Sequence, residues 1–135
     1  MMYTKIVRKI KNRFAYNRFL KKWKEKNKNN YCTPVRQYPI ELIDIGNYSY
    51  GPIDVRFWGN ALEHVQIGCF VSIAKGVTFM TGGNHLTNSL LTYPIHVKFL
   101  NEEFDAISKG PIIVDDDVWI GLNSTILSGV HIGKG

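Results

Sequence analysis

Val65-Gln66-Ile67-Gly68-Cys69-Phe70-Val71-Ser72-Ile73-Ala74-Lys75-Gly76-Val77-Thr78-Phe79 is the stretch that decides the fold, because its apolar positions fit neither a helical nor a simple alternating strand period. They return every six residues instead, in the triplets Val65-Gln66-Ile67, Val71-Ser72-Ile73 and Val77-Thr78-Phe79. After a gap the pattern resumes as Ile112-Ile113-Val114, Val118-Trp119-Ile120, Ser124-Thr125-Ile126 and Val130-His131-Ile132. In an extended triplet the outer two side chains share one face and the middle one points away. Gly68, Gly121 and Gly133 directly follow the second anchor of their triplets, where the chain has to turn, and Ile45-Gly46 is similar to an earlier copy. A strand this short buries almost nothing alone, so the units must coil and stack on one another, which predicts an all-β chain built as a parallel β-helix. A β-sandwich would show longer alternating strands between evenly spaced turns, and that pattern is missing.

Outward from the repeat, the two runs of triplets are out of phase, so residues 82–110 read as a loop inserted into the stack. Gly82-Gly83 opens it, Lys109-Gly110-Pro111 closes it, and between them lie His85, Tyr93, Pro94, His96, Phe99 and Phe104. A loop of that length inside a compact repeat is usually functional or disordered, and this aromatic content favours function. At the other end, residues 1–30 place Tyr3, Val7, Ile10 and Phe14, then Phe19, Leu20 and Trp23, at helical spacing, which predicts a basic amphipathic helix. The Asn-Lys run that follows and Thr33-Pro34 suggest a linker over 31–40, with the body over 41–135.

Charge follows the same division. Of 17 Lys and Arg against 11 Asp and Glu in the 135 residues, the first thirty hold eleven basic residues and only Glu25, so the head is strongly positive and the body mildly negative. No run approaches the length of a transmembrane helix, and the basic start lacks the apolar stretch of a secretory signal. Cys32 and Cys69 form no CxxC pair, so neither a zinc knuckle nor a disulfide scaffold is expected, and a reducing cytoplasm is the expected compartment.

Several segments together resemble a known family. They are Ile67-Gly68-Cys69-Phe70-Val71-Ser72-Ile73-Ala74, Gly82-Gly83-Asn84-His85 with Thr92-Tyr93-Pro94, Asp117-Val118-Trp119-Ile120-Gly121, and Ser128-Gly129-Val130-His131-Ile132-Gly133, with Gly46-Asn47-Tyr48-Ser49-Tyr50 upstream. In this order they resemble the hexapeptide-repeat acyltransferases with a left-handed parallel β-helix. The similarity is to the branch of xenobiotic acetyltransferases, which modify virginiamycin-type antibiotics and chloramphenicol, and to related polysaccharide O-acetyltransferases. The resemblance implies a homotrimer with acetyl-CoA in a groove between subunits and no metal. It places the catalytic histidine at His85, with Trp119, Gly121, Ser128 and Gly129 at the coenzyme. Asn84, Tyr48, Tyr50 and Tyr93 are the candidates to bind the acceptor, although these tyrosines, and Trp58 with them, equally well pack beneath the loop. The family continues through further turns beyond Gly135, so the domain is expected to be incomplete at its C-terminus.

The chemistry asks for such a histidine, because a hydroxyl attacks a thioester poorly until its proton is drawn off. An imidazole, titrating at about 6.5 as a free side chain, suits that task near neutral pH. His64 and His131 read as surface residues and His96 as a weaker candidate, while Asp115, Asp116 and Asp117 read as turn residues, since three consecutive side chains of an extended segment cannot converge on one ion. The expected function is acetyl transfer from acetyl-CoA to a saccharide hydroxyl, in particular of a cell-surface polysaccharide precursor. The preference for a saccharide rests on the basic head, which could dock on an anionic membrane or simply pack on the trimer. Modification of an antibiotic of the virginiamycin or chloramphenicol type is the alternative. A zinc enzyme of the γ-carbonic anhydrase kind lacks the paired histidine spacing it needs, and no nucleic-acid-binding fold is recognisable.

Overall fold

Each triplet that the period marks overlaps a short strand in the computed structural model, which describes residues 2–85, 90–100 and 107–135, with side chains from Asn12 onward and that of His96 excepted. The strands are β1 (Tyr31–Pro34), β2 (Ile43–Ile45), β3 (Tyr50–Arg56), β4 (Val65–Ile67), β5 (Ser72–Ile73), β6 (Thr78–Met80), β7 (Ile112–Val114), β8 (Trp119–Ile120), β9 (Thr125–Leu127) and β10 (His131–Ile132). All pair in parallel. One sheet runs β10-β7-β4-β2, and the other runs β8-β5-β3-β6-β9 with β1 also on β3. β3 is long enough to serve two arms of that sheet, its start facing β5 and its end facing β6.

The register explains the period. Ile43 lies beside Val65 and Val65 beside Ile112, while Ile45, Ile67 and Val114 form the next row, so like apolar residues stack on like. Val55, Phe79 and Ile126 do the same in the other sheet. Almost all of these side chains are buried, together with Val71, Ile73, Val77, Val118 and Ile120. Sheet-forming residues gain their stability here from burial, worth roughly 1.5–3 kcal/mol per aliphatic or aromatic side chain. The small residues matter as much: a Cβ on Gly46 would stand 2.5 Å from the carbonyl carbon of Gly68, so only glycine allows the successive passes to approach at this corner.

The expected all-β, left-handed β-helix class is corrected by the helices. α1 (Met2–Lys26) holds 25 residues and α2 (Ile95–Phe99) sits inside the insertion, so the described architecture is a helix joined to two parallel sheets. The reason is visible in the packing of α1, which is part of the core rather than an appendage to it. Its Phe19 and Trp23 are buried against Tyr38, with ring centroids 5.6 and 6.1 Å away, and Trp23 Nε1 donates to the carbonyl of Cys32 at 3.1 Å. Lys26 at the helix C-terminus donates to the carbonyls of Ile40 and Ile43 and pairs with Asp44 at 2.9 Å. A cation suits that end of the helix dipole.

Residues 31–40, read as a linker, begin with β1 in register on β3 and end at a short turn of 3₁₀ helix, Ile40–Leu42. The asparagines that suggested a linker build the connection: Asn27 Nδ2 donates to the Trp23 carbonyl, Asn30 Nδ2 to Asn27 Oδ1, and Asn30 Oδ1 accepts from Cys32 N. The insertion expected over 82–110 leaves β6 and returns to β7, and Phe104 lies outside the described residues. No helix of the described residues is long and apolar enough to cross a membrane.

Candidate functional site

The neck of the insertion, where the chain leaves β6 and comes back to β7, is where the structure places His85. Asn84 and Ile107 form an antiparallel bridge there, exchanging N–H···O bonds of 3.1 and 3.0 Å. The Asn84 side chain reinforces it, its Nδ2 donating to the Ile107 carbonyl at 3.1 Å and to Ser128 Oγ at 2.8 Å. Ser128 Oγ also accepts from Lys109 N at 3.1 Å, so one buried hydroxyl at the end of β9 joins the outgoing and returning arms. His85, the next residue, is exposed. A histidine anchored by a fixed backbone on one side and open to solvent on the other can meet a substrate and exchange a proton with it.

Beneath the neck lies a buried polar network that the sequence pattern does not announce. Thr81 Oγ1 donates to Glu63 Oε2, the Thr81 carbonyl accepts from Ser108 Oγ at 2.7 Å, and Ser108 Oγ accepts from Gly110 N at 3.3 Å. Glu63, Thr81 and Ser108 are all buried. Gly83 passes close over the indole of Trp58. Gly129 also belongs to the neck, donating its N–H to the Gly110 carbonyl at 3.0 Å.

The remaining sequence candidates lie elsewhere. Trp119 on β8 is 79% exposed and stands in one register row with Ser72, Tyr50 and Tyr31, of which the tyrosines are also exposed. Tyr48 stacks on Phe70 at a ring-centroid distance of 5.1 Å, at the corner just before that row. Tyr48 and Phe70 both take positive φ there, as does Asp117, a conformation that non-glycine residues adopt uncommonly. Gly121 follows Trp119 and accepts at its carbonyl from Ser124 Oγ at 2.8 Å, and Tyr93 lies out on the insertion, 6.4 Å from Phe99 between ring centroids. Thus the fold brings Asn84, His85, Ser128 and Gly129 together just beyond β6 and β9, whereas Tyr48, Tyr50 and Trp119 lie on or beside β3 and β8, in the other arm of the same sheet.

The three aspartates do not converge on a common point. Asp116 Oδ1 accepts from Cys69 N at 2.7 Å, Asp115 Oδ1 is 3.0 Å from His131 Nε2, and the backbone N–H of Asp117 donates to the Cys69 carbonyl. Among the described residues no group of three or more His, Cys, Asp or Glu is arranged to hold a metal ion. The hydrogen bond from Lys26, with its charge, holds the Asp44 carboxyl below its ordinary range, and burial pushes the Cys32 thiol up to about 12. A cleft of about 460 Å³ between α1 and residues 37–41 shares no residue with the neck.

Comparison with known proteins gives the site its context. The chain is similar to acetyltransferases. It is 35% identical over 94 residues to a Lysinibacillus sphaericus protein named "Probable macrolide acetyltransferase", a match covering 59% of this chain and 52% of that protein. It is 30% identical over 80 residues to chloramphenicol acetyltransferase of Agrobacterium fabrum and 32% identical over 83 residues to that of Escherichia coli. These matches cover 54% and 55% of the chain and 38% and 39% of the relatives. The chain therefore spans about half or less of the length of the curated relatives it matches. No protein-family profile matches it, and no solved structure does.

Proposed function

We propose that this chain transfers an acetyl group from acetyl-CoA to a hydroxyl of a small antibiotic acceptor of the macrolide or chloramphenicol kind, with His85 as general base. The similarity to macrolide and chloramphenicol acetyltransferases over more than half of the chain carries this reading. In the proposed step the acceptor oxygen attacks the thioester carbonyl as His85 takes its proton. The tetrahedral intermediate then collapses, the C–S bond breaks, and the CoA sulfur leaves with the proton returned by His85. General base catalysis of this kind contributes roughly 10²–10⁴ in rate. The oxyanion needs hydrogen-bond donors, a task for backbone N–H groups near the neck.

Assembly as a homotrimer belongs to the same proposal. The exposed row of Tyr31, Tyr50 and Trp119 supports it, because aromatic side chains aligned on one flat face suit a protein interface. A cytoplasmic location goes with the donor proposed. The saccharide acceptor is not carried forward, because the acetyltransferases that the chain is similar to are named for macrolide and chloramphenicol acceptors. Nor does any observation favour the zinc enzyme.

The test is release of the CoA thiol when the chain meets acetyl-CoA with chloramphenicol, with a macrolide, or with a panel of saccharides. The proposal expects release with at least one of the two antibiotics. Release with saccharides alone would return the acceptor to the polysaccharide class.

A further inference from the structure

We propose that Glu63 is a positioning residue for His85: its buried carboxylate fixes the neck from which the histidine is presented. This deepens the acetyltransferase reading and rests on it for its catalytic half. The starting point is an expense without an evident structural return. Glu63 is only 7% exposed, and burying a carboxylate costs several kcal/mol unless its oxygens are matched by donors. Here they are matched. Oε1 accepts from Asn60 N at 2.8 Å, the Trp58 N–H is shared between the two oxygens at 3.0 Å each, and Oε2 accepts from Thr81 Oγ1.

The donors come from two different places. Trp58 and Asn60 lie between β3 and β4, whereas Thr81 is the first residue after β6, on the path to His85. The carboxylate therefore staples one connection to the exit of another strand. From Thr81 the ties continue: its carbonyl takes the Ser108 hydroxyl, and Ser128 takes both the Asn84 amide and Lys109 N. The backbone on the way to His85 passes close to Glu63 and Trp58 at its two glycines. A Cβ on Gly82 would sit 3.1 Å from Glu63 Oε1, and one on Gly83 would sit 2.5 Å from the Trp58 ring. Apolar packing of equal volume would stabilise a core as well, so the use of a carboxylate here is explained by direction, which only hydrogen bonds supply.

Glu63→Gln separates direction from mere bulk. Its amide nitrogen, in the place of Oε2, donates to Thr81 Oγ1, and the threonine proton then turns to the Arg56 carbonyl, 3.0 Å away. The remaining oxygen still accepts from Asn60 and Trp58, but the new amide nitrogen faces the Trp58 N–H, 3.0 Å away, donor to donor, so the staple survives in weakened form. Glu63→Ala removes it, and Thr81→Val keeps the volume while removing the hydroxyl, and with it the link to Glu63 and the contact with the Arg56 carbonyl.

The experiment is amide hydrogen exchange at Asn84 and Ile107, the two bridge N–H groups, followed by acetyl transfer to whichever acceptor the wild type uses. Exchange at the bridge is expected to quicken about tenfold or more in Glu63→Ala and Thr81→Val, with Ile67 and Val114 in the sheet unchanged. Turnover is expected to fall on the order of 10- to 100-fold in both, the KM for acetyl-CoA staying within about a factor of two, since a misplaced catalytic group damages the chemical step. Glu63→Gln should fall between wild type and Glu63→Ala in both assays. Unaltered bridge exchange in Thr81→Val, or unaltered turnover beside a loosened bridge, overturns the proposal, and Thr81→Val answers even if Glu63→Ala does not fold. A wild type that neither binds acetyl-CoA nor releases CoA instead defeats the acetyltransferase reading. In that case the exchange experiment alone decides whether Glu63 holds the neck.

Discussion

Gly83→Ala should cost this chain about 2–5 kcal/mol of stability, and the cost has two parts that a second substitution separates. Gly83 has φ of +79°, and its missing Cβ would lie 2.5, 2.6 and 2.9 Å from three carbons of the Trp58 indole. Placing an L residue in left-handed backbone costs roughly 1–2 kcal/mol whatever surrounds it. Pushing the indole aside adds an overpacking cost of roughly 1–3 kcal/mol, because the backbone N–H of Trp58 is tied to Glu63 and the ring cannot simply move away with its chain. Trp58→Ala removes the obstacle and leaves the backbone strain. In that background Gly83→Ala should therefore cost only the first part, about 1–2 kcal/mol, giving a coupling of about 1–3 kcal/mol between the two sites. Denaturant unfolding of the four chains of the cycle measures it. Equal costs of Gly83→Ala with and without the indole would refute the packing argument and loosen the case for a rigid neck.

Other predictions concern the base, the helix and the buried thiol. His85→Ala should leave the affinity for acetyl-CoA intact and lower transfer by roughly 10²–10⁴-fold, which calorimetry and CoA release check separately; near-normal turnover removes His85 from the mechanism. Trp23→Phe keeps a ring on Tyr38 but deletes the donor to the Cys32 carbonyl, at a cost of about 1–3 kcal/mol in unfolding experiments, and an unchanged stability would mean that this hydrogen bond is dispensable. Burial raises the Cys32 thiol from an ordinary 9.0 to about 12, so its contribution is complete below pH 9 and is lost as the pH climbs toward 12. Between those limits the unfolded chain has shed the proton and the folded chain keeps it, so wild-type stability should fall more steeply than that of Cys32→Ala, by about 1.4 kcal/mol per pH unit. Parallel slopes for the two proteins between pH 9 and 11 would contradict the burial of that thiol.

What could be read beforehand was what repeats. Val65, Ile67, Val71 and Ile73 advertise their strands because stacking in register demands the same kind of residue at each pass. The exit toward His85 was legible for a related reason, since Gly82-Gly83 marks the place where the period breaks. The helix was also legible from its spacing, but not its berth: nothing in the pattern of Phe19 and Trp23 tells that they close on Tyr38, and an all-β class undercounted what α1 contributes to the core. The Asn-rich run after α1 looked like a linker because asparagine favours turns, yet those side chains specify one particular turn into β1. The network under the neck was the least accessible. Glu63 and Thr81 are 18 residues apart and Thr81 and Ser108 are 27 apart, so polar residues that look like ordinary surface acquire meaning only when the fold brings them together.

The central claim is best tested in one sample: acetyl-CoA is titrated into the chain, and CoA release is then followed as chloramphenicol or a macrolide is added, for wild type and His85→Ala side by side. The account predicts saturable binding by both proteins, with acceptor-dependent release in the wild type alone. Failure of the wild type to bind acetyl-CoA, or equal release by the two proteins, would contradict it.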